Sequence, residues 1–229
     1  MRFVEVLNDV TDVIWDKNDS SPRQKFYYTI FMKLQFILDG IHFQVLNLDG
    51  KRHYGLSAGL SLRTCMLDVL NLYYVMDVHE DQEEAELRIN SIMADHLKYT
   101  LSELKPVEKD DVVKRWPELF DEDQKLKNFQ RLGTKTFING ISTFNTLIQE
   151  TKEAHHLYKI FSKYEHNGAF TFDLLHNPYS EKGNDVVKYM IYSAIGVCAL
   201  ACKLVASNWI DNNMPLMERL DTSIKELLN

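Results

Sequence analysis

The sequence predicts an all-α fold, a multi-helix bundle built as one domain over residues 1–229. With only 9 Gly and 5 Pro in 229 residues, the chain has too few turn residues for a fold made of many short strands. Apolar residues recur at helical spacing through most of the chain, and no stretch of useful length alternates between apolar and polar residues. A chain of this length is also ample for a sizeable core.

Four helical segments are predicted in the first half of the chain. Residues 1–20 form a short helix or arm with apolar residues at helical spacing. The stretch Ser21–Gln24 then starts a helix that runs to about residue 48, because Ser can cap, Pro suits the first turn and Gln completes a capping box. The segment 55–78 is apolar on nearly every face, which indicates a central helix. A more solvated helix spans about 81–104.

The second half begins with an irregular charged region and then returns to helices. Residues 105–133 are broken by Pro106 and Pro117 and carry at most a short helix at about 109–115. This region is predicted to be a surface excursion, since it is too short to link independent domains. The later helices are predicted at about 134–149, 152–176, 185–209 and 215–228.

Charge, cysteine content and hydropathy predict a soluble cytoplasmic protein without a membrane segment. The net charge of -7 argues against a broad DNA-binding surface, although a local basic patch is compatible with it. Three cysteines, with Cys65 far along the chain from Cys198 and Cys202, do not form a disulfide scaffold, which favours a reducing compartment. The N-terminus is acidic where a signal peptide would be apolar, and the longest apolar run, Tyr189 to Cys202, is too short to span a bilayer.

A row of polar residues on the segment 152–176 is the first candidate site. On a helical wheel His155, Tyr158, Ser162 and His166 lie within roughly 80° of one another. A solvated helix face usually carries Lys and Glu, so a Tyr, Ser and His row beside an apolar stripe indicates the wall of a polar pocket. The apolar stripe that should face the core contains Leu157, Phe161, Tyr164, Phe172 and Leu175.

Arg63 is the second candidate, because it lies in an apolar stripe of the predicted central helix. A guanidinium is not neutralised in proteins, so a buried Arg needs a carboxylate, several carbonyl groups or an anionic ligand. Asp68 lies about 140° away on the same helix and is poorly placed as a direct partner. Glu165 and Asp173 are better placed. A structural ion pair, an anion-binding role and a side chain extended to solvent all remain open.

His166 is the natural general base in this row, since a histidine titrates near neutral pH and Glu165 stands beside it. Ser162 precedes His166 by one helical turn. Because both lie on one helix, the strained and exposed serine of a hydrolase is not expected there, and serine hydrolysis is disfavoured.

Metal and cofactor chemistry finds little support in the sequence. Asp39 and His42, like Glu153 and His156, have the i, i+3 spacing that ferritin-like di-metal bundles use on two of their helices. The further carboxylates that such a centre needs are missing from the neighbouring predicted helices, and no Gly-rich phosphate loop is present. We therefore predict no metal and no cofactor.

Two segments together resemble a family of uncharacterised bacterial all-helical proteins. They are Leu60-Ser-Leu-Arg63-Thr-Cys-Met-Leu-Asp68 and, about a hundred residues later, Tyr158-x3-Ser162-x3-His166. In that family a central helix carries Arg with an acidic residue five positions on, more often Glu than Asp. The resemblance implies that Arg63, Asp68, Tyr158, Ser162 and His166 line one cleft between helices.

That family is in turn similar to the HEPN superfamily of helical bundles, many of which are RNases of toxin–antitoxin and phage-defence systems. HEPN nucleases carry Arg and His a few residues apart on one helix, and this chain has no such pair. Arg63 and His166 could imitate it only by meeting across two helices. The resemblance therefore implies a HEPN-like fold, and an RNase activity only if Arg63 and His166 meet, with Arg63 holding a phosphate and His166 moving a proton.

The sequence as a whole leaves two functions open. In the first, a cytoplasmic protein binds a phosphate-containing ligand, a nucleotide or RNA, in a cleft between helices, with or without catalysis. In the second, a non-catalytic bundle pairs with itself or with a partner, and its polar residues are structural. For the first function the catalytic candidates are Arg63, Ser162 and His166, and the ligand-binding candidates are Tyr158, Asp68, Glu165 and His155.

Overall fold

The computed structural model describes residues 2–16, 21–47, 52–129, 149–165, 181–209 and 213–228. Within these ranges the chain forms eight α-helices and no β-strand, which confirms the predicted all-α multi-helix bundle. The helices are α1 (Arg2–Asp16), α2 (Pro22–Leu46), α3 (Arg52–Met76), α4 (Gln82–Thr100), α5 (Pro106–Arg115), α6 (Gln149–Ser162), α7 (Glu181–Trp209) and α8 (Met214–Leu228). The predicted helix at 134–149, apart from its last residue, lies outside the described ranges.

Helix α3 occupies the centre of the bundle, as predicted from a sequence that is apolar on nearly every face. It packs against α2, α4, α6 and α7. Its C-terminal half is buried continuously from Leu72 to Met76, because a helix surrounded by others has no solvent face for polar residues. Because of this central position, side chains of α3 can contact residues of four other helices.

The junction between α1 and α2 follows the predicted helix start only in part. Ser21 caps α2, and its hydroxyl accepts a hydrogen bond from the Gln24 backbone N–H at 3.0 Å. The Gln24 side chain does not complete the expected capping box; it donates to the carbonyl oxygens of Ile14 and Trp15 at 2.8 and 2.9 Å. A buried amide thereby satisfies carbonyl groups left open at the end of α1.

The N-terminal segment is an ordered helix rather than a loose arm. The face of α1 that includes Phe3, Leu7 and Val10 is buried, and α1 packs against both α2 and α8. Two exposed ion pairs, Arg2 with Glu226 and Arg219 with Asp9, join α1 to α8 at 2.6 Å each. The two ends of the chain therefore stabilise the same side of the bundle.

The segment predicted as one helix over 152–176 is shorter than expected. Helix α6 ends at Ser162, and Lys163–Glu165 form a 3-10 turn. A 3-10 turn has three residues per turn instead of 3.6, so positions on an α-helical wheel do not hold for Lys163–Glu165. Residues 166–176 of the prediction lie outside the described part of the chain.

The charged region after α4 contains the predicted short helix, which begins earlier than expected. Helix α5 starts at Pro106 and buries none of its residues. The following 3-10 turn, Pro117–Leu119, buries Leu119 and contacts α4. The region as far as residue 129 thus attaches to the bundle mainly through the segment after α5.

Helix α7 contains an apolar stretch longer than the uninterrupted run seen in the sequence. By length and composition alone, the 22 residues Val187–Asn208 could cross a membrane, whereas the uninterrupted run from Tyr189 to Cys202 is shorter. In the bundle more than half of that stretch is buried, as in the core helix of a soluble protein. Its apolar character is accounted for by packing against α3 and α8.

Candidate functional site

Three of the predicted site residues meet where α3 and α6 pack together, and we call them the Arg63 seam: Arg63, Tyr158 and Ser162. Arg63 Nε donates a long hydrogen bond of 3.4 Å to Ser162 Oγ. The guanidinium carbon lies 5.5 Å from the centroid of the Tyr158 ring, within the range of a cation–π contact. Ser162 Oγ also donates to the Tyr158 carbonyl oxygen at 2.7 Å.

A glycine allows α3 to come close to the end of α6 beside this seam. Gly59 precedes Arg63 by one helical turn, and the ring of Tyr164 lies directly over it. A Cβ at position 59 would be 2.5 Å from Tyr164 Cε1, much closer than non-bonded carbons approach. The buried Tyr164 ring therefore packs against α3 backbone at a position where a larger residue would have to displace it.

The surface around Arg63 is less buried than its sequence suggests. Arg63 was expected in the middle of a core stripe, yet it is half-buried, and Leu60 on the same sector is 38% exposed. Leu56 and Leu67 are also only partly buried. The guanidinium therefore lies at the margin of the core, where water is partly excluded.

His155 extends the row on α6 by one turn beyond Tyr158 and is almost completely buried. Burial lowers the pKa of His155 below its ordinary value of 6.5, and the nearby side chains of Lys159 and His156 lower this pKa further. At neutral pH its imidazole is therefore uncharged and can both donate and accept a hydrogen bond.

Asp68 does not join the Arg63 seam, contrary to what the family resemblance implies. Its buried carboxylate binds Lys33 of α2, with Lys33 Nζ 3.0 Å from Oδ1 and 2.9 Å from Oδ2. Burial raises the pKa of the Asp68 carboxyl above its ordinary value, although Lys33 and His96 act in the opposite direction. The 140° that separates Asp68 from Arg63 around α3 directs the two side chains toward different helices.

The remaining candidates lie where the structure describes little or nothing. Glu165 ends the 3-10 turn after α6, and its side chain falls outside the described part. His166, the predicted general base, and Asp173, a predicted partner of Arg63, fall outside it as well. Proton transfer by His166 therefore stays a prediction.

A group of thiols between α3 and α7 could not be foreseen from the sequence. Cys65, Cys198 and Cys202 are free and fully buried, and the Cys65 side chain hydrogen-bonds Cys198. This hydrogen bond and burial raise the pKa of the Cys198 thiol, and burial raises that of Cys202. Such thiols are protonated packing residues. The i, i+4 spacing on α7 was visible in the sequence, but nothing there indicated that Cys65 joins the other two.

No metal-binding group is found among the described residues. In that part of the chain, no three His, Cys, Asp or Glu side chains lie close enough together to hold an ion. The i, i+3 pairs Asp39 with His42 and Glu153 with His156 therefore do not converge on a common site there.

Comparisons of the chain with protein-family models, with curated proteins and with solved structures found no match.

Proposed function

We propose that this protein binds a phosphate-containing ligand, a nucleotide or RNA, at the Arg63 seam. One observation carries the proposal: a guanidinium, a hydroxyl and an aromatic ring meet at a half-buried position between two helices. A guanidinium offers a rigid fork of donors that matches phosphate oxygens. Partial exclusion of water strengthens its attraction to an anion.

Each seam residue has a distinct part in this proposal. Arg63 binds the phosphate, and Ser162, whose hydroxyl already donates to the Tyr158 carbonyl and accepts from Arg63, accepts a further hydrogen bond at the ligand's edge. The Tyr158 ring supplies a face on which a base stacks. The uncharged His155, one turn further along α6, hydrogen-bonds the sugar or the base.

Cleavage of RNA in the manner of HEPN nucleases is a further step of this proposal. Arginine does not exchange its proton near neutral pH, and serine needs a base to activate it. Cleavage therefore requires His166 to reach the seam as the acid or base. Binding at Arg63 does not depend on that step.

A second function is favoured by the hydrogen bonds already present in the seam. Ser162 accepts from Arg63 and donates to the Tyr158 carbonyl, so the three residues link α3 to α6 without a ligand. In a non-catalytic bundle that pairs with itself or with a partner, this network would only hold the two helices in register.

Binding of nucleoside monophosphates, measured by isothermal titration calorimetry, separates the two functions. UMP and AMP are titrated into the wild type, into Arg63→Gln and into Arg115→Gln, which removes an exposed arginine side chain on α5 as a matched control. Uridine and adenosine, which lack the phosphate, serve as ligand controls. We expect the monophosphates to bind the wild type and Arg115→Gln, and Arg63→Gln to lose at least tenfold in affinity.

The structural alternative makes the opposite prediction in the same experiment. If neither monophosphate binds the wild type, or if Arg63→Gln binds as tightly as Arg115→Gln, the binding proposal is wrong. A lower free energy of unfolding for Arg63→Gln, without any effect of ligand, would then assign the seam to helix packing.

A further inference from the structure

A basic surface runs along the exposed side of α6 and continues into the 3-10 turn that follows it. We call it the basic face, and its members are Lys152, His156, Lys159 and Lys163, all of them exposed. The spacing of the first three places them within about 60° around the helix, and Lys163 is the first residue of the 3-10 turn that follows. This cluster of positive charge is a local feature of the surface, since the chain as a whole is acidic, with a net charge of -7.

Two lysines of the basic face are not neutralised by carboxylates. In the part of the chain that the structure describes, Lys152 and Lys159 form no ion pair, whereas Lys33 and Lys203 each bind an aspartate. Glu153 is exposed on the same helix, but it lies about 100° around from Lys152 and borders the face on one side. The positive charges of Lys152 and Lys159 are therefore directed to solvent.

The basic face adjoins the Arg63 seam on its other side. Ser162 lies about 60° around α6 from Lys159, so the two surfaces share an edge. The lowering of the pKa of His155 by Lys159 and His156 agrees with this placement, since it shows their charge acting on the row of residues next to the seam. An anion bound by Arg63 would therefore lie within the field of the basic face.

We infer that the basic face of α6 binds the phosphate backbone of a single-stranded nucleic acid, and that it presents one nucleotide of that strand to the Arg63 seam. This inference rests on the proposed function, within which the strand is RNA. Within α6 alone the face extends about 10 Å from Lys152 to Lys159 at the rise of an α-helix, which is longer than one nucleotide can bridge. A single strand is favoured over a duplex because only an unpaired base can stack on Tyr158.

An anionic membrane fits the same charges less well. Helices that lie on membranes insert an apolar face beside their basic residues. The apolar side of α6, formed by Leu157 and Phe161, is buried in the bundle and is not available for insertion. A polyanion in solution therefore matches this surface better.

The test compares a labelled 12-nucleotide oligouridine with UMP. Binding of the oligonucleotide is measured by fluorescence anisotropy over a series of salt concentrations, and binding of UMP by calorimetry. The double variant Lys152→Gln with Lys159→Gln removes two charges from the basic face. The matched control is Lys109→Gln with Lys114→Gln, which removes two exposed charges from α5.

We expect the oligonucleotide to bind the wild type and the α5 control alike, and the α6 double variant to lose roughly tenfold in affinity at low salt. The slope of log affinity against log salt should become shallower by about 1.4, at about 0.7 for each lost contact with a single-strand phosphate. UMP should lose far less affinity than the oligonucleotide in the α6 double variant, because UMP at Arg63 feels only the field of the basic face, whereas the oligonucleotide contacts the face directly.

The outcomes separate this inference from the function on which it rests. If UMP requires Arg63 but the α6 and α5 double variants bind the oligonucleotide equally, the basic face has no role and the proposed function stands. The inference also falls if a duplex RNA or a vesicle containing phosphatidylserine binds as tightly as the oligonucleotide with the same dependence on Lys152 and Lys159. If neither UMP nor the oligonucleotide binds the wild type, both fall.

Discussion

The ion pair between Lys33 and Asp68 illustrates at the scale of single residues how burial controls the effect of a charge. Asp68 is 3% exposed and is the only fully buried carboxylate in the described part of the chain, whereas the Lys33 side chain is 39% exposed. The raised pKa of Asp68 indicates that burial outweighs the attraction of Lys33. The two partners should therefore respond differently to substitution.

Lys33→Met is expected to destabilise the protein by about 3 kcal/mol at neutral pH, because it leaves a buried carboxylate without its cation. Asp68→Asn should change stability by less than about 1 kcal/mol, since the released Lys33 amine can turn to water. Urea unfolding at neutral and at acidic pH provides the measurement. As the pH falls through the raised pKa of Asp68, the carboxyl becomes neutral and the loss in Lys33→Met should shrink. Equal losses in the two variants would contradict this account.

His155 should make the protein sensitive to mild acid. Its pKa is lower in the folded state than the ordinary value of 6.5, so the unfolded chain takes up the proton first as the pH falls. Stability from this residue is complete above 6.5 and is lost as the pH falls from there toward the lower folded pKa. His155→Gln should therefore show a smaller loss of unfolding free energy over that range than the wild type. Parallel pH profiles for the two proteins would exclude this role.

At the scale of helices, the contact between α3 and the end of α6 depends on one glycine. The Tyr164 ring lies against Gly59, and the Arg63 seam follows one turn further along α3. Gly40 on α2 offers a comparison, because a Cβ there would meet no atom within 4 Å. Substituting alanine at each of the two glycines therefore separates the effect of packing on the free energy of unfolding from the effect of helix propensity.

Gly59→Ala is expected to lower the free energy of unfolding by roughly 1–2 kcal/mol, since overpacking outweighs the gain in helix propensity. Gly40→Ala should raise it by up to about 1 kcal/mol, because only the propensity changes. Both values can be measured by urea denaturation monitored by circular dichroism. A stabilised Gly59→Ala protein would show that the Tyr164 ring moves aside at little cost.

The sequence predicted where most of these helices begin better than it predicted the end of α6 and the partners of individual side chains. The starts of α2 and α8 were predicted to within one residue, and the starts of α3 and α5 to within three, because caps, prolines and apolar periodicity act over a few residues. The end of α6 was missed: no Gly or Pro follows Ser162 closely, and the change to a 3-10 turn accompanies packing of Tyr164 on a distant helix. The hydrogen-bond partners of the Gln24 side chain were also missed. They are carbonyl groups of another helix, α1, which compete with the local capping box.

At the scale of the whole molecule, α7 shows why an apolar helix need not span a membrane. Its small residues and its two cysteines pack in the centre of the bundle, beside Cys65 of α3. Since all three thiols are completely buried, reagents can reach them only when the bundle opens. They therefore report on the cooperativity of unfolding.

We expect the three thiols to be protected in the native protein and to become reactive together in urea. The raised pKa values of Cys198 and Cys202 further reduce their reactivity, because the thiolate is the reacting species. Labelling with iodoacetamide followed by intact mass spectrometry should yield unlabelled and triply labelled protein with few intermediates. Rapid labelling of a single thiol without denaturant would indicate local opening of the α3–α7 contact.

The sequence by itself determined which segments are helical, which sides of them are buried and that polar residues gather on α6. These features depend on neighbours within a few positions, because helical hydrogen bonds and apolar stripes repeat every three or four residues. The tertiary structure alone decided the partners: Arg63 with Ser162 rather than with Asp68, Asp68 with Lys33, and Cys65 with Cys198. Such pairs join residues 35 to 133 positions apart, so they are set by how whole helices pack, and local sequence does not encode which helices will meet.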